Sequence, residues 1–195
     1  MSNDTRQRIL EKNFEAMHQH GFQGMRADKV VRELGITKGA FYHYFESKQE
    51  LGYALVDEIV APMYLQHWAH LGSLPGNPVA HIVQVLELLA GMQNSEKIKL
   101  GCPLNNLMQE MSPLDEGFRR RLQRIITGMQ TGVREALQRG QQEGFIRATV
   151  DPEAAAVFIV AALEGAFGIG KVLQSLTAFE QAMQQLIGYV RSLGS

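Results

Sequence analysis

The sequence predicts an all-α protein with a three-helix, helix-turn-helix domain at its N-terminus and a larger helical bundle after it. Apolar residues recur at helical spacing in almost every segment, and we find no convincing strand pattern. A glycine turn near the N-terminus separates two short helical segments. We therefore expect one domain at 1–47 and a second at 48–195, connected by a helix over 48–71.

The first helix is predicted from about Asp4 to His20. Asp4 or Thr5 provides a cap at its start, and Gly21 is a typical residue at a helix C-terminus. The face that should be buried carries Ile9, Leu10, Phe14 and Met17.

Two short helices and a long one follow. The second helix is expected over about 27–34, and the third over about 38–44 with Thr37 as its cap. Ser47, followed by Glu50 three residues later, forms a capping box at the start of the fourth helix. Pro62 predicts a kink within that helix.

The remaining helices are separated by short loops. The segment "GSLPGNP" is a loop because it is rich in glycine and proline. The helices after it are expected at about 79–94, 103–111, 115–142, 152–173 and 178–193.

Composition limits the classes of function. The 195-residue chain is 45% hydrophobic with a formal net charge of −1, so any contact with nucleic acid must come from a local basic patch. Its single cysteine excludes an internal disulfide. The longest apolar run, 154–170, contains Glu164 and is interpreted as a buried helix. We expect a cytoplasmic protein with no membrane partner.

The stretch "GITKGAFYHYFESK" places aromatic side chains beside polar ones. Phe41 and Phe45 are four residues apart and should pack inward. In a helix-turn-helix motif the second helix lies in the major groove of DNA, so the polar side chains of this stretch are expected to face DNA. Lys48 and Arg26 are expected to contact phosphates. Together, the candidate DNA-binding residues are Arg26, Thr37, Lys38, Gly39, Ala40, Tyr42, His43 and Lys48. The alternative is a small helical subdomain in which all the aromatics are core.

Residues 8–22, "RILEKNFEAMHQHGF", and 27–51, "ADKVVRELGITKGAFYHYFESKQEL", resemble the DNA-binding domain of the TetR family of transcriptional regulators. Arg26 stands where this family commonly has Ser or Thr, so the usual cap is lost. The resemblance implies a homodimeric repressor that binds a double-stranded DNA operator and is released by a small-molecule effector. The alternative is a helical sensor protein whose N-terminal domain no longer binds DNA.

Residues of the larger domain predict an apolar pocket with a few polar groups. A cavity lined by methionines, aromatics and a few amides suits an apolar ligand with one or two polar groups. The candidate ligand-binding residues are Met63, His67, Trp68, Leu88, Met92, Cys102, Asn105, Asn106, Met108, Gln109, Met129 and Phe167. The alternative for each methionine is an ordinary place in the core.

Cys102 is a candidate sensing thiol. The segment "GCPLNNLMQEMSPLDEGFRRRL" resembles one found in a branch of the TetR family, and it places Cys102 just before a helix that starts at Pro103. The positive end of that helix dipole is expected to lower the pKa of the thiol, which would then react with electrophiles or oxidants. The alternative is an inert cysteine packed against the core.

Other polar pairs do not indicate an enzyme or a metal site. His67 and His70 are three residues apart, but no third metal ligand lies nearby in sequence. Glu87 with Glu110 or Glu164 lacks an accompanying nucleophile motif. We therefore expect no catalytic activity, no cofactor and no metal.

The helix "VFIVAALEGAFGIG" (157–170) is apolar on all faces. In a small bundle only one side can face the monomer's own core, so the other side needs a partner. Gly165 and Gly168 would allow another helix to approach closely. We expect a homodimer through the last two helices, and the alternative is the central helix of one large monomeric core.

Overall fold

A computed structural model of the chain describes residues 2–195, with side chains from Asp4 onward. The all-α prediction is confirmed, and the only β pairing among these residues is an isolated antiparallel bridge between Ile146 and Gly194. The α-helices are α1 (Ser2–Gly24), α2 (Ala27–Glu33), α3 (Lys38–Tyr44), α4 (Lys48–Leu55), α5 (Ala61–Trp68), α6 (Pro78–Gly91), α7 (Ser95–Leu100), α8 (Pro103–Met111), α9 (Glu116–Gln142), α10 (Pro152–Leu173) and α11 (Leu176–Ser192).

Helix α1 starts earlier and ends later than predicted. It already begins at Ser2, so the prediction of a cap at Asp4 or Thr5 is wrong. Gly21 does interrupt the helix, with a φ of 75° and a ψ of 165°, and one further turn runs to Gly24. The absence of a Cβ lets Gly21 adopt this conformation at little cost.

The caps of the next three helices follow the sequence prediction. Thr37 accepts a hydrogen bond from the Ala40 N–H at 3.1 Å, and Ser47 accepts one from the Glu50 N–H at 3.1 Å. Arg26 precedes α2 and makes no side-chain cap, as its replacement of Ser or Thr implied.

The predicted helix over 48–71 is not one regular helix. A π-helical segment, Val56–Val60, separates α4 from α5, and α5 ends at Trp68. Pro62 lies two residues after the end of the π segment, and a proline ring clashes with the carbonyl four residues earlier, which here belongs to Glu58 inside that segment. The wider turn removes that clash, so the irregularity predicted at Pro62 lies just before it. A short 3₁₀ turn, Leu71–Ser73, follows.

Three other helix predictions need correction. Helix α7 was missed because six residues are too few to establish a helical period; Asn94 caps it by accepting hydrogen bonds from the Glu96 and Lys97 N–H groups. Helix α6 ends at Gly91 rather than 94. Helix α11 begins at Leu176 rather than 178, because Ser175 caps it.

The chain forms two compact units that differ from the predicted boundary at 47/48. Unit 1 comprises residues up to 63 and 106–123, and unit 2 comprises 64–105 and 124–195. Helices α5, α8 and α9 each begin in one unit and end in the other. The two units describe how the folded chain packs, and the boundary between a DNA-binding domain and a second domain at 47/48 remains a prediction from the sequence.

In unit 2, α10 packs against α11 and α7, and α11 also packs against α6. Ile159, Leu163 and Phe167 of α10 are buried, whereas Phe158 and Ile169 are exposed. By length and composition, α10 is also the one described helix that would be able to cross a membrane. The apolar residues on one side of α10 are therefore buried in unit 2, and those on its other side form an exposed apolar face.

Candidate nucleic-acid interface and buried thiol cluster

Helix α3 separates its aromatic side chains as predicted. Phe41 and Phe45 are buried, with ring centroids 6.0 Å apart, and anchor the helix in unit 1. Tyr42 is 58% exposed, and its ring meets Phe41 edge-on at 5.4 Å. Lys38 and His43 are also exposed. The exposed face of α3 therefore carries a phenol, an ammonium group and an imidazole, while the two buried phenylalanine rings hold the helix in unit 1.

The start of α3 completes this face. Thr37 and Gly39 are exposed, and Ala40 is half-buried. The Thr37 hydroxyl serves the Ala40 N–H, so its lone pairs are partly used by the cap. An added Cβ at Gly39 would meet only the Thr37 hydroxyl oxygen, at 3.9 Å, and a ligand backbone has room to approach.

The two predicted phosphate contacts already have partners within unit 1. The Lys48 ammonium donates to the Gln23 carbonyl at 2.9 Å and lies 5.1 Å from the Phe22 ring centroid. Burial lowers the pKa of Lys48, and the charge of Glu110 opposes that change. Arg26 is exposed and forms an ion pair with Asp28 at 3.1 Å. Lys48 thus ties α4 to the end of α1 in addition to offering its remaining N–H groups.

Glu110 provides a second connection at the same place. Its carboxylate accepts hydrogen bonds from the backbone N–H groups of Phe22 and Gln23, both at 2.8 Å. These groups are exposed to a side chain because Gly21 turns the backbone out of the helix. Glu110 therefore links α8 to α1 inside unit 1.

Cys102 lies in a buried polar cluster of unit 2. It is only 2% exposed, its sulfur accepts a hydrogen bond from the Asn105 N–H at 3.3 Å, and the Tyr64 hydroxyl lies 2.9 Å away. The Asn105 side-chain amide donates to the Glu164 carbonyl at 2.9 Å. The cluster thus joins α5, the start of α8, and α10.

The predicted lowering of the Cys102 pKa is wrong. Burial raises the pKa of the thiol well above its usual value, and the charge of Glu164 adds to this effect. The hydrogen bonds from Tyr64 and Asn105 favour the thiolate but are weaker effects. Cys102 does occupy the cap position of α8, yet removal from water outweighs what the helix end contributes.

Glu164 is the acidic member of the cluster. It is 7% exposed, and neither carboxyl oxygen has a hydrogen-bond partner among the described residues. Burial raises the pKa of this carboxyl to about 7, and its interaction with the Cys102 thiol lowers it by less. The sequence offered a signal for Glu164, a single acid in an apolar helix, but none for Tyr64.

Four more of the predicted pocket residues lie inside unit 2. Trp68, Met129 and Phe167 are buried in unit 2, where Phe167 stacks against Phe179 with centroids 4.8 Å apart. The Trp68 indole N–H lacks a hydrogen-bond partner among the described residues. His67 is half-buried, with its Nε2 3.2 Å from the Gln66 side-chain nitrogen.

Two of the predicted pocket residues are exposed on unit 2, and four lie in unit 1. Leu88, in the last turn of α6, is 47% exposed, and Met92, directly after the helix, is 51% exposed. The residues in unit 1 are Met63, Asn106, Met108 and Gln109. Met63 and Gln109 are exposed there, while Asn106 and Met108 are half-buried.

The other acids and histidines have separate surroundings. Glu87 pairs with Arg191 at 3.0 Å, and Glu110 and Glu164 have the environments given above. Across residues 2–195, no group of three or more His, Cys, Asp or Glu side chains converges as metal ligands would.

Two protein-family models match the chain. Residues 9–55 match the family model described as bacterial regulatory proteins, tetR family. Residues 78–186 match the model described as tetracyclin repressor-like, C-terminal domain. The second match alone covers more than half of the chain.

Individual relatives span nearly the whole chain. A Lactococcus lactis HTH-type transcriptional regulator, in the lacX 3′ region, is 30% identical over 178 residues, 91% of this chain and 88% of its own. The Escherichia coli repressor NemR is 26% identical over 180 residues, 92% of this chain and 90% of its own.

Solved structures agree with these matches. The reduced form of E. coli NemR has a TM-score of 0.81 at 26% identity, covering 98% of this chain and 97% of its own. A TetR transcriptional regulator from Chloroflexus aurantiacus has a TM-score of 0.85 at 26% identity, covering 99% and 97%. With both family models matched and these relatives aligned over most of their length, the chain belongs to the TetR family of transcriptional regulators.

Proposed function

We propose that this protein is a homodimeric repressor that binds a palindromic DNA operator and is released from it by a small-molecule effector. The observation that carries the proposal is the division of α3 into a buried face with Phe41 and an exposed face with Tyr42 and Lys38. A reading helix needs both, because it must be held rigidly while its polar side chains enter the major groove. The protein acts in the cytoplasm, where DNA is accessible.

Contacts to DNA divide into two kinds. Tyr42, with a ring and a hydroxyl, meets a thymine methyl or a phosphate. Lys38 at the helix start reaches a phosphate. Thr37, Gly39 and Ala40 set the close approach of the helix, and His43 lies near its other end. Lys48 and Arg26 contact phosphates with the N–H groups their present partners leave free.

The dimer forms through α10 and α11. Phe158, Ala162, Gly165 and Ile169 of α10 and Leu186 of α11 border a shallow apolar groove of about 340 Å³. Val172 and Leu173 continue this exposed apolar surface along α10. An added Cβ on Gly165 would meet no atom within 4 Å in the single chain, which leaves space for a second helix. Exposed apolar faces of this kind typically mark a protein interface.

A mobility-shift assay with the DNA that flanks the protein's own gene tests DNA binding. We expect a specific complex whose affinity falls steeply with salt, since phosphate contacts release counterions. Wild-type protein that shows no preference for any such fragment at low salt would instead favour a helical sensor without DNA-binding activity.

We further propose that the effector is an electrophile that reacts with Cys102. One observation in favour is the thiol itself, which lies against Tyr64 and Asn105 with Glu164 in the same cluster. The other is the similarity to NemR, one solved structure of which is described as a reduced form. The raised pKa keeps Cys102 protonated, so reaction requires help with its proton. Release of operator DNA by an electrophile from wild-type protein but not from Cys102→Ser is the expected result.

Helix α8 provides the route from the cluster to DNA. Its first turn is capped by Cys102, and Glu110 near its last turn holds the end of α1. A displacement of α8 would move Glu110 and, through Gln23, the Lys48 contact. Trp68 is the only tryptophan and lies one turn after Tyr64, so its fluorescence reports on the same region. Operator DNA should weaken effector binding by the same factor as the effector weakens DNA binding.

A further inference from the structure

The Glu164 carboxyl is a polar group that the fold itself does not explain. It lies in the middle of α10 among apolar residues, is almost fully buried, and has no hydrogen-bond partner for either oxygen among residues 2–195. Burial of an unpaired carboxyl is costly, and a leucine or glutamine of similar size would avoid most of that cost. Such a group is expected where it performs a task.

The neighbouring Cys102 sulfur is prepared to carry negative charge. The Asn105 N–H donates to it at 3.3 Å, and the Tyr64 hydroxyl at 2.9 Å is able to do the same. When both groups donate, the sulfur has two hydrogen bonds that stabilise a thiolate. The Glu164 carboxyl is the remaining polar group of the cluster, because Asn105 contacts both residues: its N–H donates to the Cys102 sulfur and its side-chain amide donates to the Glu164 carbonyl.

We propose that Glu164 is the proton acceptor for Cys102 when the thiol reacts with a carbon electrophile. The inference rests on the proposed role of Cys102 as the sensing thiol and assigns a new residue to that site. Tyr64 and Asn105 act as positioning residues that hold the sulfur and stabilise its developing charge.

The chemistry balances without an oxidant. For an α,β-unsaturated carbonyl compound, the Cys102 S–H bond breaks, its proton moves to Glu164, and the sulfur forms a bond to the β-carbon. The carbon–carbon π bond breaks, and its electrons move onto the carbonyl group as an enolate. The proton then passes from Glu164 to the α-carbon, so the thioether is neutral and the carboxylate is regenerated.

The titration properties of the two groups fit this division of roles. Burial and the charge of Glu164 raise the pKa of Cys102, so the thiol does not ionise by itself near neutral pH. Burial raises the pKa of Glu164 to about 7, and a general base works best with a pKa near the pH at which it acts.

Other charged groups near Glu164 do not replace it. The Cys102 thiol is the titratable group that acts on its pKa, and the charge of Glu164 in turn raises the pKa of Cys102 and of Tyr64. Helices α7 and α11 also pack against α10, but their charged residues are exposed or half-buried at the surface: Glu96, Lys97, Lys99, Glu180 and Arg191. Lys171 of α10 is exposed too and lies against Gly101.

Acrylamide is a suitable probe because it is a small, neutral α,β-unsaturated amide. The rate of its addition to full-length dimeric protein is measured by mass spectrometry from pH 5.5 to 9, with Cys102→Ser as the blank. Wild-type protein should show a rate that rises through about pH 7, where Glu164 loses its proton. Glu164→Gln should lose this inflection and react about a hundredfold more slowly at pH 7.5. Glu164→Asp, which keeps a carboxylate, should retain the inflection.

The opposite result would identify a purely electrostatic effect. If Glu164 only repels the thiolate, Glu164→Gln removes a negative charge, lowers the pKa of Cys102 and speeds the reaction. A faster or unchanged Glu164→Gln overturns the inference while leaving Cys102 as the sensing thiol. Absence of any wild-type reaction overturns the sensing proposal as well. A change in how often the buried site opens would scale the whole profile without moving its inflection, and thermal unfolding of each variant identifies any loss of fold.

Discussion

Glu110 accepts a hydrogen bond from the backbone N–H of Phe22 at 2.8 Å, across 88 positions of sequence. Its second carboxylate oxygen binds the adjacent Gln23 N–H, so one side chain satisfies two donors that the Gly21 kink frees. Glu110→Ala leaves both donors without this partner and should lower the free energy of unfolding by about 1–3 kcal/mol. Urea denaturation measures it. Gln109→Ala, an exposed neighbour, is the control, and equal losses in the two variants would contradict the assigned role.

Among the glycines of unit 2, Gly132 of α9 is the one where an added Cβ would lie nearest to another backbone atom. A Cβ at this position would overlap the backbone carbonyl of Trp68, which has no rotamer with which to move away. Gly132→Ala should therefore cost about 1–3 kcal/mol or more in stability, as overpacking typically does. The control is Gly91→Ala, where an added Cβ meets nothing within 4 Å and stability should be unchanged or slightly higher. Similar melting temperatures for both variants would show that α9 shifts to make room.

Tyr42 and Lys38 should contribute to DNA binding in different ways. Lys38→Ala removes one charge that neutralises a phosphate, so the slope of log affinity against log salt should fall by about 1, with little change in sequence preference. Tyr42→Ala removes a ring that is 58% exposed and should weaken operator binding more than non-specific binding. The control is Lys99→Ala, an exposed lysine of unit 2. Fluorescence anisotropy at several salt concentrations checks these results, and wild-type behaviour of both variants would place the DNA-binding surface on another face.

Ile169 tests the proposed dimer surface. It is exposed and borders the apolar groove between α10 and α11. Ile169→Glu would bury a charge in the interface, and sedimentation at micromolar concentration should then show monomers. Leu114→Glu changes an exposed apolar residue of unit 1 and should leave the dimer intact. Dimers of unchanged stability in Ile169→Glu would exclude this face as the interface.

Glu164 should make stability depend on pH. Its pKa is raised to about 7 from an ordinary 4.5, so its contribution to stability is fully present below about pH 4.5 and is lost as pH rises through 7. At about 1.4 kcal/mol per pH unit, Glu164→Gln should be more stable than wild type above pH 7.5 by up to about 3 kcal/mol. The advantage should disappear near pH 4.5. Urea denaturation at fixed protein concentration measures it, and a difference that does not vary with pH would contradict the buried carboxylate.

The sequence by itself determined the helices that carry strong local signals. Thr37 and Ser47 are side-chain caps, Phe41 and Phe45 have a helical spacing, and Gly21 has no Cβ; each acts within one turn of its own position. For the same reason, the exposed face of α3 was predicted correctly. The family was also recognisable from this stretch, which the match over residues 9–55 confirms.

Only the tertiary structure decided which distant residues meet. Leu88 and Met92 look like pocket residues in sequence but lie on the surface, whereas Tyr64, Cys102 and Glu164 come from three separate segments to one buried cluster. The direction of the Cys102 pKa was mistaken for this reason. A helix end is visible in the sequence, but removal from water and a neighbouring carboxylate arise only when the segments pack, and these two effects are the larger ones.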